Sequence, residues 1–186
     1  MSCPSATACT AAGFTETGST TKTLAELWNG STWAIQPAPT PAGSPSADLW
    51  AVSCSSATAC TAVGDYENSS FFLVPLAERW NGSTWKTQSI PSPTASATEL
   101  ALYGVSCPSS TACTAVGSYV NSSGTDKIFA EDWNGTMWAI QSTPSPAGNV
   151  PTFNGVSCSK VTACTAAGDY QTSSGVQKTL AERYGT

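Results

Sequence analysis

The chain has 186 residues, 10% of them charged, a formal net charge of −5, seven basic residues and no histidine. Soluble globular domains carry about 25% charged residues, so this surface is polar through the hydroxyls of Ser and Thr, with Gly and Pro filling the rest. That balance gives no electrostatic footprint for nucleic acid, the missing histidine excludes Ser/His/Asp and Cys/His nucleophilic catalysis, and the longest apolar run, Phe71 to Leu76 with a proline inside it, is too short to insert into a membrane.

Eight cysteines punctuate the chain as Cys3/Cys9, Cys54/Cys60, Cys107/Cys113 and Cys158/Cys164. The first of each pair recurs at intervals of 51, 53 and 51 residues (54−3, 107−54, 158−107). The aromatic series Trp28, Trp80, Trp133 and Tyr184 keeps the same period, so four copies of one unit follow one another. Their bounds read as 1–47, 48–99, 100–151 and 152–186, all within one repeat domain. Zinc-binding pairs are spaced by two to four residues, usually with histidine nearby. Here five residues separate the partners, which points to one local disulfide per unit. Stable disulfides imply an extracellular or cell-surface location.

In the first copy, Met1-Ser2-Cys3 opens directly on the repeat, with most of the first strand missing and no secretory leader. A mature or excised chain is the expectation. Cys9-Thr-Ala-Ala-Gly13 continues as a second strand, and Leu24 to Trp28 as a third. Asn29-Gly30 is the strongest short hairpin signal between strands. As a two-residue turn it sets Trp28 opposite Ser31 and Glu26 opposite Trp33, which places Glu26, Trp28 and Trp33 on one face. The connector from Pro37 to Pro41 cannot join a sheet interior and must cross between units. The second copy repeats this with Glu78, Trp80 and Trp85, and departs from it at Phe71-Phe72, an apolar pair in an otherwise Ser/Asn-rich loop. That pair is the expected contact with another protein or chain.

The third copy shows the local pattern best. Leu102 to Cys107 reads as a strand, Pro108 to Thr111 as a turn, and Cys113 to Tyr119 as a second strand. Lys127 to Trp133 and Met137 to Gln141 complete four antiparallel strands, with Asn134-Gly135 between the last two. Closing the short cysteine loop contributes about 2 kcal/mol and pins the hairpin. The fourth copy runs to Tyr184-Gly185-Thr186 without an Asn-Gly turn or fourth strand. Leu180, Glu182 and Tyr184 then form an open sheet edge, which invites a homo-oligomer or filament.

Four-stranded meanders at a period near fifty predict an all-β fold, a β-propeller with one disulfide per blade. The repeat Gly-Val-Ser-Cys…Ala-Cys-Thr-Ala-Val-Gly…Leu-Ala-Glu-Arg-Trp-Asn-Gly-Ser-Thr-Trp resembles that of uncharacterised secreted bacterial repeat proteins of propeller type. It is loosely similar to kelch blades and to the Gly-x-Thr-Trp half of an Asp box, with Trp28 and Trp80 standing where that motif has aspartate. The resemblance spans the whole chain and implies an architecture, not an activity.

Glu26, Glu78, Glu131 and Glu182 occupy one repeat position. An acid and a base must differ in environment, so four equivalent glutamates read as recurring hydrogen-bond acceptors and not as a catalytic pair. The aromatics Trp28, Trp33, Trp80, Trp85, Trp133 and Trp138 read as packing between units, with sugar stacking as the alternative. Of five Asn-x-Ser/Thr sequons, Asn68 and Asn121 are the glycan candidates, since the Asn-Gly turns already explain Asn29, Asn81 and Asn134. No cofactor, metal or catalytic residue is expected. The functional expectation is a non-catalytic extracellular scaffold that self-assembles or binds a partner through edges and rim loops. A multivalent lectin-like glycan binder is the alternative, and a glycoside-acting enzyme a distant third.

Overall fold

The computed structural model describes residues 1–184; of the fourth unit, Gly185 and Thr186 lie outside the described residues. The chain forms four separate antiparallel sheets, each a meander in chain order. The first holds β1 (Ser2–Ser5), β2 (Ala8–Thr17), β3 (Thr20–Trp28) and β4 (Trp33–Gln36). The second holds β5 (Ala47–Ser56), β6 (Ala59–Glu67), β7 (Leu73–Trp80) and β8 (Trp85–Gln88). The third holds β9 (Thr98–Ser109), β10 (Ala112–Val120), β11 (Asp126–Trp133) and β12 (Trp138–Gln141). The fourth holds β13 (Asn149–Lys160), β14 (Ala163–Gln171) and β15 (Gln177–Tyr184). The second, third and fourth sheets start at Ala47, Thr98 and Asn149, slightly ahead of the bounds read from the repeat.

All eight cysteines pair within their own unit, as the spacing predicts, with Cα atoms 3.9–4.0 Å apart across the first hairpin. These bridges fit a protein made for an oxidising compartment. The Asn-Gly hairpins differ from the sequence expectation. Trp28 lies opposite Trp33 and Glu26 opposite Ile35, with the same register in the second and third sheets. A two-residue type I′ turn requires positive φ at both residues; here Gly30 takes φ 95° and Asn29 does not. Asn29 instead uses its side-chain oxygen to accept the amides of Ser31 and Thr32 at 2.9 and 3.0 Å, which closes a longer loop. The slip is two residues, an even number, so the face shared by Glu26, Trp28 and Trp33 survives it.

Strand alternation gives every sheet two unlike faces. One, the tryptophan face, carries Cys60, Ala62, Glu78, Trp80 and Trp85 in the second sheet. The other, the threonine face, carries Thr61, Val63, Ala77 and Arg79. Each tryptophan face packs on the threonine face of the sheet before it. Ala12, Ala25 and Leu27 meet Trp80 and Trp85; Val63 and Ala77 meet Trp133 and Trp138; Val116, Ile128 and Ala130 meet Phe153, Leu180 and Tyr184. The apolar cores therefore lie between successive sheets, as in stacked-repeat proteins, where a single unit cannot bury its own face.

Two polar stitches recur at these interfaces. The hydroxyls of Ser2, Ser53 and Ser106 accept the amides of Cys54, Cys107 and Cys158, each at 2.9 Å. Thr10, Thr61 and Thr114 place their hydroxyls 3.3, 3.5 and 3.3 Å from the sulfurs of Cys60, Cys113 and Cys164. Those sulfurs are oxidised and can only accept, so the Thr10 and Thr61 hydroxyls donate, whereas the Thr114 hydroxyl gives its proton to Asp132 at 2.7 Å and meets the Cys164 sulfur as a contact. Among the register shifts of each later first strand, one falls at a matched position: Trp50, Tyr103 and Asn154 have no partner in the ladder. The kink drives the backbone so close to the second strand that only glycine fits there. A Cβ on Gly64, Gly117 or Gly168 would lie 1.9 Å from the carbonyl oxygen of Asp48, Ala101 or Thr152.

Candidate functional site

The recurring Glu/Trp constellation is interior structure in the middle of the chain. Trp80 and Trp85, like Trp133 and Trp138, are tilted pairs with ring centroids 5.8 Å apart. Trp85 and Trp138 retain only 5% and 2% exposure, so they present no face to a sugar. Glu78 and Glu131 are fully buried, and neither oxygen of either carboxyl finds a hydrogen-bond partner. This corrects the expectation of a recurring acceptor: nothing around them donates. Burial alone pushes both carboxyls up to about 8, so they are mainly neutral at physiological pH.

Repeat equivalence ends at the outer sheets. Trp28 and Trp33 form the same 5.8 Å pair, yet Trp33 is 43% exposed and Glu26 is half-buried. In the fourth sheet the hydroxyl of Tyr184 donates to Glu182 at 3.2 Å, and burial raises that carboxyl as well. Leu180 and Tyr184 serve two roles: they lie on β15, which pairs only with β14 among the described residues, and they pack into the third core.

A second constellation was not singled out by the sequence reading. The bulge aims Trp50, Tyr103 and Asn154 at residues 15 positions further on. Trp50 Nε1 donates to Asp65 at 2.5 Å, Asn154 Nδ2 donates to Asp169 at 2.8 Å, and Tyr103 meets Ser118. Trp50 is 47% exposed and stands edge-on to Phe14 at 5.8 Å. Asp65 lies directly opposite Asp48 on β5. Burial first, with the Asp48 charge adding to it, raises Asp65 to about 6 despite the opposing Trp50 hydrogen bond. The signal for this row in the sequence is a varying residue at fixed phase, four positions before the first cysteine of a unit.

The rim loops hold the remaining candidates. Asn68 and Asn121 accept loop amides through their side-chain oxygens, as do Asn29, Asn81 and Asn134. Turn geometry thus accounts for all five asparagines and no longer sets Asn68 and Asn121 apart. Phe71 and Phe72 are 74% and 51% exposed. Beside them a cavity of about 420 Å³ is lined by Asn68, Phe72, Val74, Ile90 and Leu100 among others. At the disulfide end of the sheets, grooves of about 310 and 400 Å³ lie beside Trp28 and Trp133. At the interface between the second and third sheets, Arg79 stacks over Trp133 at 4.5 Å and donates to the Ser110 carbonyl at 2.6 Å.

Among the described residues no three His, Cys, Asp or Glu side chains converge as metal ligands would. No protein-family model and no curated protein matches the chain.

Proposed function

We propose that the chain is a non-catalytic extracellular scaffold, its sheets the blades of a β-propeller, which engages a protein partner through the loop bearing Phe71 and Phe72. The propeller reading is supported by one four-stranded meander per repeat, by cores that lie between consecutive sheets, and by the adjacency of β5 to β9 and of β9 to β13, the first strands of their sheets. The partner reading is carried by the backbone at Phe71. It holds φ 62°, at the loop position where the third and fourth units have Gly124 and Gly175 at 71° and 81°. An L-residue there costs about 1–2 kcal/mol, and the exposed ring recovers little of that in packing. Strain kept at an exposed aromatic marks a contact site.

The substitution Phe71→Gly should therefore leave stability unchanged or raise it by up to about 1 kcal/mol, since relief of strain outweighs the flexibility glycine adds. Thermal unfolding reads this directly. The same variant should lose the extracellular protein captured by the immobilised parent chain. A destabilised variant, or one that captures the same partner equally well, counts against the proposal.

A lectin-like reading has one specific support, the exposed Trp50 ring beside the Asp65 carboxyl, a pairing suited to a saccharide's apolar face and hydroxyls. Glycan-array binding that disappears in Trp50→Ala would favour it over the scaffold.

A further inference from the structure

Resting on the scaffold reading, we infer that a second copy of this chain docks head to tail, its first sheet's tryptophan face on the threonine face of this chain's fourth sheet. The three internal interfaces show what covers each face, and in every case it is the opposite face of the same repeat. The fourth sheet carries an unused threonine face. Thr165 is exposed, whereas its counterparts Thr10, Thr61 and Thr114 are buried; Ser157 is exposed, whereas Ser2, Ser53 and Ser106 each hold a cysteine amide. The first sheet carries an unused tryptophan face, with Trp33 open where Trp85 and Trp138 are covered.

The two free faces match position by position. Continuing the stitches by one step sets the Thr165 hydroxyl on the Cys9 sulfur and the Ser157 hydroxyl on the Cys3 amide. Arg183 precedes Tyr184 as Arg79 precedes Trp80, and it is exposed. One step on, its guanidinium lies over Trp28 with the Ala6 carbonyl in reach, as Arg79 lies over Trp133 beside the Ser110 carbonyl. Ala167 and Ala181 are small, as are Ala12 and Ala25 of the first sheet's packed threonine face. Such a contact is heterologous: each copy offers a different face, so association continues into a closed ring or a filament.

The test is sedimentation of this chain over a range of concentrations, alongside Ala11→Arg, which blocks the tryptophan face, and Ala167→Arg, which blocks the threonine face. The parent should associate, into a closed ring of two or more copies or into a filament. Each blocked chain should be monomeric, and an equal mixture of the two should stop at a dimer. Arg183→Ala should weaken association roughly tenfold. Circular dichroism checks each fold, and Thr165→Lys replaces Ala167→Arg should the latter misfold. A monomeric parent, a blocked chain that assembles alone, or a mixture that stays monomeric overturns the inference. Assembly that survives both blocks but ends when a fourth strand is appended after Tyr184 belongs to the β15 edge; face docking then fails while the scaffold reading stands. That reading fails separately if Phe71→Gly keeps its protein partner.

Discussion

The inner sheets and the outer sheets are built from the same residues and yet differ in almost every property that matters. In the second and third sheets the central strand is buried on both faces, Cys60 through Asp65 and Cys113 through Gly117, while in the fourth the exposure alternates along Cys164, Thr165, Ala166 and Ala167. Glu78 and Glu131 are desolvated and held neutral, whereas Glu26 is only partly covered. The environment of a residue in this molecule is set by the neighbouring sheet more than by its own. That is the nearest-neighbour behaviour of stacked repeats.

The sharpest way to break the comparison is to delete matched tryptophans. Trp138→Ala empties a closed interface and should cost about 3–5 kcal/mol. Trp33→Ala removes a ring that is already open to solvent on one side and should cost about 1 kcal/mol. Denaturant unfolding of the two variants in dilute solution, where head-to-tail docking is dissociated, measures the gap, and equal losses there would mean that the first sheet's face is closed within the single chain.

A methyl group at matched glycines comes next. Gly64→Ala drives a Cβ into the Asp48 carbonyl and should destabilise by about 3 kcal/mol. Nothing lies within 4 Å of a Cβ on Gly13, because β1 is short and does not reach it, so Gly13→Ala should be close to neutral. A neutral Gly64→Ala would show that the bulge at Trp50 does not hold in solution.

The smallest expected effect concerns the glutamates, and its sign is definite. A carboxyl whose pKa rises from 4.5 to about 8 on folding binds more protons in the folded state than in the unfolded one. Its contribution is therefore full below pH 4.5, falls as pH rises toward 8, and is flat above that. Asp65, raised to about 6, acts in the same direction only over the lower part of this range. The decline in stability between pH 6 and 8 should accordingly vanish in Glu78→Met/Glu131→Met. At pH 8 each substitution should stabilise the protein by about 1–3 kcal/mol, since it removes a buried polar group that has no partner. A slope unchanged in the double variant would mean that the two carboxyls are solvated.

Much of this architecture is legible in the amino-acid sequence. The cysteine spacing yielded the four local bridges, because a loop of five residues permits little else. The third copy's strands were readable from their β-branched and aromatic runs, and the shared face of Glu78, Trp80 and Trp85 from strand alternation. The hairpin register was not, because Asn81 closes its loop through its side chain, a choice that Asn-Gly alone does not specify. The bulge row of Trp50, Tyr103 and Asn154 was missed for a related reason. An extra residue in one strand changes no residue type, and its traces in the sequence are a varying residue four positions before the first cysteine and the glycine on the opposing strand.

What the sequence determined by itself is everything local: the repeat, the hairpins, the disulfides, and which side chains share a face. Alternation along a strand and closure of short loops depend on residues near one another in the chain, and those appear in the text of the repeat. What only the tertiary structure decided is which of four identical positions is buried. Glu26, Glu78, Glu131 and Glu182 read alike, and the difference among them comes from how completely the adjoining strands close over each face. Desolvation is a property of that packing, and no residue carries it alone.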